Sequence, residues 1–214
     1  MFTPVDDAIR GRRTSKVTAA EALPPSGPPR ADLEALFETA GWAPFHRPAA
    51  DAHRSALPGV VPWRFYALDA AGCRALREAL AEATGPVPSL LATADALVLV
   101  TWLPDPPSET AAAGLFEPTL ANMEHVAAAG AAVQNLLVAS TARGIRTFWS
   151  SGGGILRQPA TLQRLGIGAD EVLLGSVFLF PAEAPGAAEG GTKLREQRGP
   201  LSDWMRWVEP DAFR

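Results

Sequence analysis

The sequence predicts a layered domain in which helices and strands alternate. Two short apolar segments, 94–103 and 171–180, have the length and composition of buried strands. Between them, 122–143 is long and apolar enough for a central helix. Because 47% of the 214 residues are hydrophobic, the chain can bury one large core. We therefore expect a single mixed α/β or α+β domain over residues 1–214.

The first forty residues predict two helices joined by an extended connector. Pro4 and the two aspartates that follow predict a helix over 4–13, because proline and acidic side chains favour helix N-termini. Residues 19–29 contain four prolines and a glycine, which is typical of an extended segment. Asp32 is expected to cap a second helix that ends at Gly41, since apolar residues follow it at helical spacing.

The next sixty residues predict a long loop, two strands and a helix. Proline, alanine and histidine are frequent over 44–62, which indicates the loop. A strand is expected over 63–68, and the spacing of leucine and alanine then predicts a helix over 70–83. The segment 94–103 is apolar throughout its centre and is followed by proline, as expected of a strand buried on both faces.

The longest predicted helix, 122–143, is rich in small residues. Alanine and glycine occupy all six positions of 127–132. Gly144 is expected just beyond the helix, where glycine is favoured. Small side chains let another helix approach closely, so this helix lies either at a dimer interface or in the core of a monomer. The sequence alone favours neither.

The last seventy residues predict two strands and two short helices. A short strand over 147–150 leads into a glycine run at 152–154. A helix is expected over 159–165, and a strong strand over 171–180. The tail from Pro181 is expected to be irregular, with a closing helix over 201–208.

Charge and composition exclude several classes of protein. The net charge is −4 and the isoelectric point is about 5.4, which argues against nucleic acid as the main partner. No basic segment followed by an apolar one opens the chain, so no signal peptide is expected. The longest strongly apolar run, 96–103, is too short to span a bilayer. We expect a cytoplasmic protein that binds neither nucleic acid nor membrane.

The sequence gives little support for a metal site or for a catalytic nucleophile. His46, His53 and His125 do not pair at ligand spacing within one helix, and Cys73 is the only cysteine, so a zinc site is not expected. We expect Cys73 to be a small core or surface residue, and Glu124–His125 to lie on an exposed turn. No G-x-S-x-G motif is present, which disfavours a hydrolase.

Two basic segments, 10–16 and 193–201, stand out against the acidic background. The first has four cations and two hydroxyls in seven residues, a set that suits a phosphate monoester. A solvated basic face explains it equally well. The glycines of 152–154 would let backbone N–H groups approach a flat or anionic ligand, although an ordinary turn is the more common meaning of such a run.

Taken in order, these segments resemble the FMN-dependent nitroreductase family over nearly the whole chain. In that family an early helix leads into an Arg-x-Ser-x-Lys/Arg segment that holds the FMN phosphate, and 12–16 matches it with Thr14 at the serine position. A helix ending in Ala-Pro and a Pro-Trp before a strand correspond to 41–46 and 62–65. The family's Gln-Asn-Leu central helix, ending in Gly-Ile, corresponds to 134–145.

The second half follows the same order. A glycine-bearing segment that lies along the flavin ring in the family corresponds to 149–153. A strand with an internal glycine corresponds to 172–175, and a basic segment ahead of Pro-Leu to 195–201. One departure stands out: 17 positions separate His46 from Trp63, more than the family usually has. Residues 47–61 are therefore expected to form an inserted loop near the active face.

The resemblance implies an α+β nitroreductase-like fold of three layers: a central, mostly antiparallel sheet flanked by helices, with the long helix at a homodimer interface. It implies FMN at that interface, with the phosphate on Arg12, Thr14 and Lys16. Trp149 would pack near the ring, and N–H groups near Ser151 and Gly152 would bond flavin N5. The full set of expected cofactor residues is Arg12, Arg13, Thr14, Lys16, Phe45, His46, Trp149, Ser150, Ser151, Gly152, Arg195 and Arg198.

The activity implied is that of an NAD(P)H oxidoreductase with ping-pong hydride transfer through flavin N5. NADH or NADPH would supply the hydride, and a nitroaromatic, quinone or enone would take it. No metal and no side-chain acid or base is required. Two other hypotheses stay open: a flavin-binding or ligand-sensing module without turnover, and a basic-patch protein without flavin.

Overall fold

The computed structural model of the chain describes residues 3–25, 27–55, 57–109 and 114–208. The helices are α1 (Pro4–Gly11), α2 (Arg30–Gly41), α3 (Ala70–Ala79), α4 (Val87–Leu91), α5 (Leu120–Ala142), α6 (Gly153–Leu156) and α7 (Pro159–Arg164). The strands are β1 (Lys16–Thr18), β2 (Trp63–Asp69), β3 (Ala96–Trp102), β4 (Arg146–Ser150), β5 (Val172–Phe180) and β6 (Ala188–Gly190). Among the described residues, no helix has the length and hydropathy needed to cross a bilayer.

Four strands form an antiparallel sheet in the order β2-β3-β5-β4. β3 lies inside this sheet and every one of its residues is buried, which explains its uninterrupted apolar sequence. It pairs with β2 from Trp63 opposite Trp102 to Asp69 opposite Ala96. Its pairing with β5 shifts register after Val100.

Helices cover both faces of the sheet. Alternate residues of a strand point to opposite faces, so Leu97 and Leu99 pack with α3 and α4, whereas Val98 and Val100 pack with α2 and α5. The core is thus divided into two layers by the sheet. This arrangement of helices around an antiparallel sheet confirms the expected α+β fold with three layers.

A second, two-stranded sheet joins the beginning of the chain to its end. β1 pairs antiparallel with β6, from Lys16 opposite Gly190 to Thr18 opposite Ala188. The residue before β1, Ser15, donates its N–H to the carbonyl of Thr147 in β4 at 2.9 Å. The segment after α1 is therefore fixed both to the main sheet and to the C-terminal part.

Two predicted helices differ from those observed, and four short elements were not predicted. α2 begins at Arg30 with Pro29 as its N-cap, and Asp32 does not cap it but lies in its first turn, where a carboxylate still favours the helix dipole. α3 ends at Ala79 instead of residue 83, because Leu80 leaves the helical conformation. β1, β6, α4 and α6 were not expected, and each has five residues or fewer.

The prediction of a closing helix over 201–208 is wrong. Only Leu201–Asp203 forms one 3-10 turn, and no helix follows it. Trp204, Trp207 and Val208 are exposed, Trp207 by 78%. A helix this short needs packing to be stable in water, and the described chain gives these side chains no surface to pack on.

The expectation that Glu124 and His125 lie on an exposed turn is also wrong. His125 is only 1% exposed, and its Nδ1 donates to the carbonyl of Leu103 at 2.9 Å. One helical turn earlier, Asn122 accepts from the N–H of Asp105 at 2.8 Å. These two buried polar side chains of α5 therefore fix the segment that leaves β3.

Candidate functional site

A cleft of ≈ 550 Å³ lies where the segment after α1 meets the segment after β6. It is lined by Arg12, Arg13, Thr14, Ser15, Glu189, Gly190, Gly191, Thr192, Leu194, Arg195 and Arg198. The pairing of β1 with β6 brings these two segments together. At Gly191 the approach is close, since a Cβ there would lie 3.3 Å from the carbonyl oxygen of Thr14. The two basic segments of the sequence thus share one cavity.

Two of the four arginines in this cleft are held by backbone carbonyls. Arg13 Nη1 donates to the carbonyls of Arg10 and Gly11, each at 2.9 Å. Arg195 Nη1 donates to the carbonyl of Arg12 at 2.8 Å, and its Nη2 donates to that of Arg10. The C-terminal end of a helix favours cations. Arg13 and Arg195 therefore fasten the cleft to the end of α1.

The other two arginines, Arg12 and Arg198, have side chains without such partners. Across residues 3–25, 27–55, 57–109 and 114–208, neither guanidinium has a hydrogen bond or ion pair with the protein. Partial burial, and then the like charges of Arg13, Arg198 and Arg12, lower the pKa of Arg195 below its usual value. Four converging cations repel one another, so an anion between them would be stabilised.

Among the described residues, Glu189 is the one carboxylate that lines the cleft, and it is already paired. Glu189 accepts a hydrogen bond of 2.8 Å from Arg146 Nη1, and Arg146 Nε donates to the carbonyl of Pro181. Its negative charge is thus directed at β4. Lys16, which was expected to bind phosphate, does not line the cleft; its Nζ lies 4.9 Å above the ring of Phe148.

A second group of expected cofactor residues forms the turn after β4. Trp149 is exposed, and its indole lies against Gly175, where a Cβ would approach Nε1 to 2.5 Å. The N–H of Gly152 donates to Ser150 Oγ at 3.2 Å. Gly152 has a φ of 97°, a conformation that favours glycine. Ser151, which lies between Ser150 and Gly152, is exposed.

Phe45 and His46, the two other expected cofactor residues, follow α2. Phe45 packs edge-to-face on Trp63 at 5.9 Å, at the start of β2. His46 is exposed. Neither residue lines the arginine cleft. Within one chain the structure therefore brings together Arg12, Arg13, Thr14, Arg195 and Arg198, but not the complete set expected for a flavin.

The family follows from the sequence match. The profile of the Nitroreductase family matches residues 9–179. The chain belongs to the nitroreductase family. No curated protein matches the sequence.

Solved structures show the same nitroreductase fold. A nitroreductase-like family protein from Bacillus cereus is 20% identical with a TM-score of 0.65, covering 98% of each chain. A nitroreductase with bound FMN from Bacteroides fragilis is 19% identical with a TM-score of 0.57, covering 97% of this chain and all of that one. The FMN-dependent nitroreductase NfnB from Mycobacterium smegmatis, in complex with NADPH, is 16% identical with a TM-score of 0.55, covering 96% and 98%.

Several carbonyls of the segment 47–61, which was expected to be an inserted loop, are bound by one buried arginine. Arg64 is 6% exposed, and its guanidinium donates to the carbonyls of His53, Leu57 and Gly59 at 2.9 to 3.2 Å. It also donates to the carbonyl of Val61 at 2.8 Å. Burial lowers the pKa of Arg64, while the charge of Glu171 opposes that shift. Among the described residues of this segment, the guanidinium of Arg64 thus binds the carbonyls of His53, Leu57, Gly59 and Val61.

Sequence reasoning missed two further features of the candidate site. Gly190 and Gly191 line the cleft. Two glycines in a row are a signal in the sequence that the backbone there approaches another group closely. Arg157, just after α6, donates to the carbonyl of Ser151, and no motif marked it. Among the described residues, no group of three or more His, Cys, Asp or Glu side chains is placed to hold a metal ion.

Proposed function

We propose that this protein is an FMN-dependent oxidoreductase that takes electrons from NADH or NADPH and reduces an electron-poor small molecule. A nitroaromatic, a quinone or an enone would be such an acceptor. The observation that carries the proposal is the cleft in which Arg12 and Arg198 have no partner among the described residues. FMN-bound and NADPH-bound proteins of the same fold support it.

The charge of the cleft fits a phosphate monoester. Such a group carries a charge of about −1.5 to −2 at neutral pH. Arg13 and Arg195 are engaged with carbonyls, so Arg12 and Arg198 provide two unengaged forks for its oxygens. Thr14 and Ser15 add hydroxyl donors beside them. The phosphate end of FMN would therefore be held here.

The turn after β4 is suited to the ring of the same cofactor. The exposed indole of Trp149 offers a flat apolar surface, the exposed Ser151 offers a backbone N–H, and the buried Gly152 has an N–H that now donates to Ser150 Oγ. When bound, FMN would supply the redox chemistry by accepting a hydride at N5 and passing it on, and its reduced ring carries negative charge. Backbone dipoles aimed at that charge stabilise it without a side-chain acid or base.

A homodimer would complete the site. The exposed side of α5 presents Met123, Ala127 and Gln134, with the half-buried Gly130 between them, so a second helix can approach closely. Exposed apolar side chains also occur on α1, as Val5 and Ile9, and at Trp42. In such a dimer Phe45 and His46 of one protomer would reach the flavin of its partner. Light scattering of the purified protein, and of Ala127→Glu, tests this arrangement.

The first experiment is the visible spectrum of the purified protein, with the chromophore identified after denaturation. Flavin bands and released FMN are expected. Arg12→Ala and Arg198→Ala should each weaken FMN binding by about 2 kcal/mol, the scale of a lost charge-assisted bond. Lys193→Ala, which changes a cation outside the cleft, serves as the control. A colourless protein that takes up no added FMN would exclude the proposal.

Turnover is tested on the flavin-loaded protein. Oxidation of NADH or NADPH should be slow alone and accelerate when a quinone or nitroaromatic is added. Bound FMN without any such oxidation would instead identify a flavin-binding module.

A further inference from the structure

We propose that Arg157 is a positioning residue for the flavin: it fixes the peptide between Ser151 and Gly152 and raises the reduction potential of the bound ring. This inference rests on the proposed function, because it places FMN beside that turn. Arg157 is exposed and follows α6, outside every motif of the sequence.

Arg157 joins the turn to the first residues of β5. Its Nε donates to the carbonyl of Ser151 at 2.5 Å. Its Nη1 and Nη2 donate to the carbonyls of Leu173 and Leu174 at 2.8 and 3.1 Å. All three acceptors are neutral, and in the described part of the chain no carboxylate pairs with this guanidinium. Its full positive charge therefore stays beside the turn.

The carbonyl that Arg157 binds belongs to the same planar peptide unit as the N–H of Gly152. Fixing the oxygen fixes the direction of that N–H. A cation at the oxygen also polarises the peptide and makes its N–H a stronger donor. This N–H donates to Ser150 Oγ at 3.2 Å, at the long end of the usual range, and Gly152 is buried, so a bound flavin would compete with Ser150 for it.

The packing around Gly152 leaves the turn little freedom. A Cβ at this position would lie 3.2 Å from Leu173 Cδ2 and 3.6 Å from Arg157 Cγ. The stem of Arg157 therefore supports the turn from one side while its guanidinium holds the carbonyl. Donors that are fixed before the reaction stabilise developing charge without reorganising.

Arg157 should act on the reduced flavin more than on the oxidised one. The oxidised ring is neutral and the reduced ring carries negative charge, so a nearby cation and a polarised N–H stabilise the reduced form selectively. Selective stabilisation raises the reduction potential, whereas a merely structural role would weaken binding of both forms equally. The potential of the bound flavin thus separates the two roles.

The test compares FMN-loaded wild type with Arg157→Gln and Arg157→Lys by spectroelectrochemistry, together with the dissociation constant of oxidised FMN. Arg164→Gln is the matched control, since Arg164 is an exposed arginine on α7 that donates to the carbonyl of Ala79. In Arg157→Gln, the affinity for reduced FMN relative to oxidised FMN should fall about tenfold, or about 30 mV for a two-electron couple. In Arg157→Lys, which keeps the charge, the fall should be about threefold.

Circular dichroism shows whether Arg157→Gln and Arg157→Lys are folded. The potential of either folded variant tests whether Arg157 acts on the reduced flavin. An unchanged potential in a folded, FMN-loaded variant would overturn the role of Arg157 and leave the proposed function standing. An equal fall of the potential in Arg157→Gln and Arg157→Lys would overturn the part assigned to the charge of Arg157. A wild-type protein that binds no FMN would remove the proposed function and this inference with it.

Discussion

Arg195 donates a hydrogen bond of 2.8 Å from Nη1 to the carbonyl of Arg12, across 183 positions of sequence. The donor lies in the 3-10 helix Lys193–Arg198, and the acceptor is the C-cap residue that follows α1. The bond closes the arginine cleft from the C-terminal side. It uses only the carbonyl of Arg12, whose guanidinium has no partner among the described residues, so Arg195 shapes the wall while Arg12 is available to an anion.

We expect Arg195→Gln to weaken FMN binding about tenfold, by loosening the wall and removing one charge. The segment 193–208 should also be cleaved faster by chymotrypsin in the FMN-free variant. Fluorescence titration and limited proteolysis measure the two effects. Lys193→Gln, in the same segment but outside the cleft lining, should change neither. Equal behaviour of the two variants would contradict the role of Arg195.

Long elements could be predicted from the sequence, and short ones could not. β3 and α5 were predicted nearly to their ends, because a buried strand is apolar throughout and a 23-residue helix repeats its pattern several times. β6 could not be predicted, since its three residues are all exposed and form a strand only because β1 lies beside them. Pairings of this kind depend on the whole fold.

The same limit applied to the candidate site. The arginines of both segments were visible as a charge pattern and the family resemblance singled out Arg12, yet the sequence showed neither that Arg13 and Arg195 are bound by carbonyls nor that Lys16 lies outside the cleft. That division depends on which carbonyls lie within reach. Arg157 gave no signal for the same reason.

The turn after β4 gives a prediction about stability. Gly152 has a φ of 97°, so Gly152→Ala should lower the free energy of unfolding by roughly 1 to 3 kcal/mol. Gly154→Ala is the matched control, since it lies in α6 at negative φ with nothing within 4 Å of its Cβ. That variant should be neutral or up to about 1 kcal/mol more stable. Urea denaturation of both variants decides whether backbone conformation is the cause.

The buried Arg64, which binds carbonyls of the segment 47–61, should contribute strongly to stability. Arg64→Met leaves several carbonyls of 53–63 without their donor, and we expect a loss of about 3 kcal/mol in the free energy of unfolding. Proteolysis within 47–61 should accelerate as well. Arg47→Met, which removes an exposed ion pair with Glu124, should cost less than about 1 kcal/mol. Similar losses in both would contradict the idea that Arg64 organises the loop.

The single cysteine gives a pH-dependent prediction. Burial raises the pKa of the Cys73 thiol to about 12, so at pH 8 only about one native thiol in ten thousand is ionised. A thiol reagent at pH 8 should label it only after denaturation, with one thiol per chain.

The same shift makes stability depend on pH. Because an unfolded thiol ionises near pH ~8.5, the folded state binds more protons between pH ~8.5 and pH 12. Stability should therefore fall as the pH rises through this interval, and Cys73→Ala should show a smaller fall in urea denaturation at pH 8 and pH 10. Rapid labelling of the native protein at pH 8 would show that the thiol is accessible and overturn this assignment.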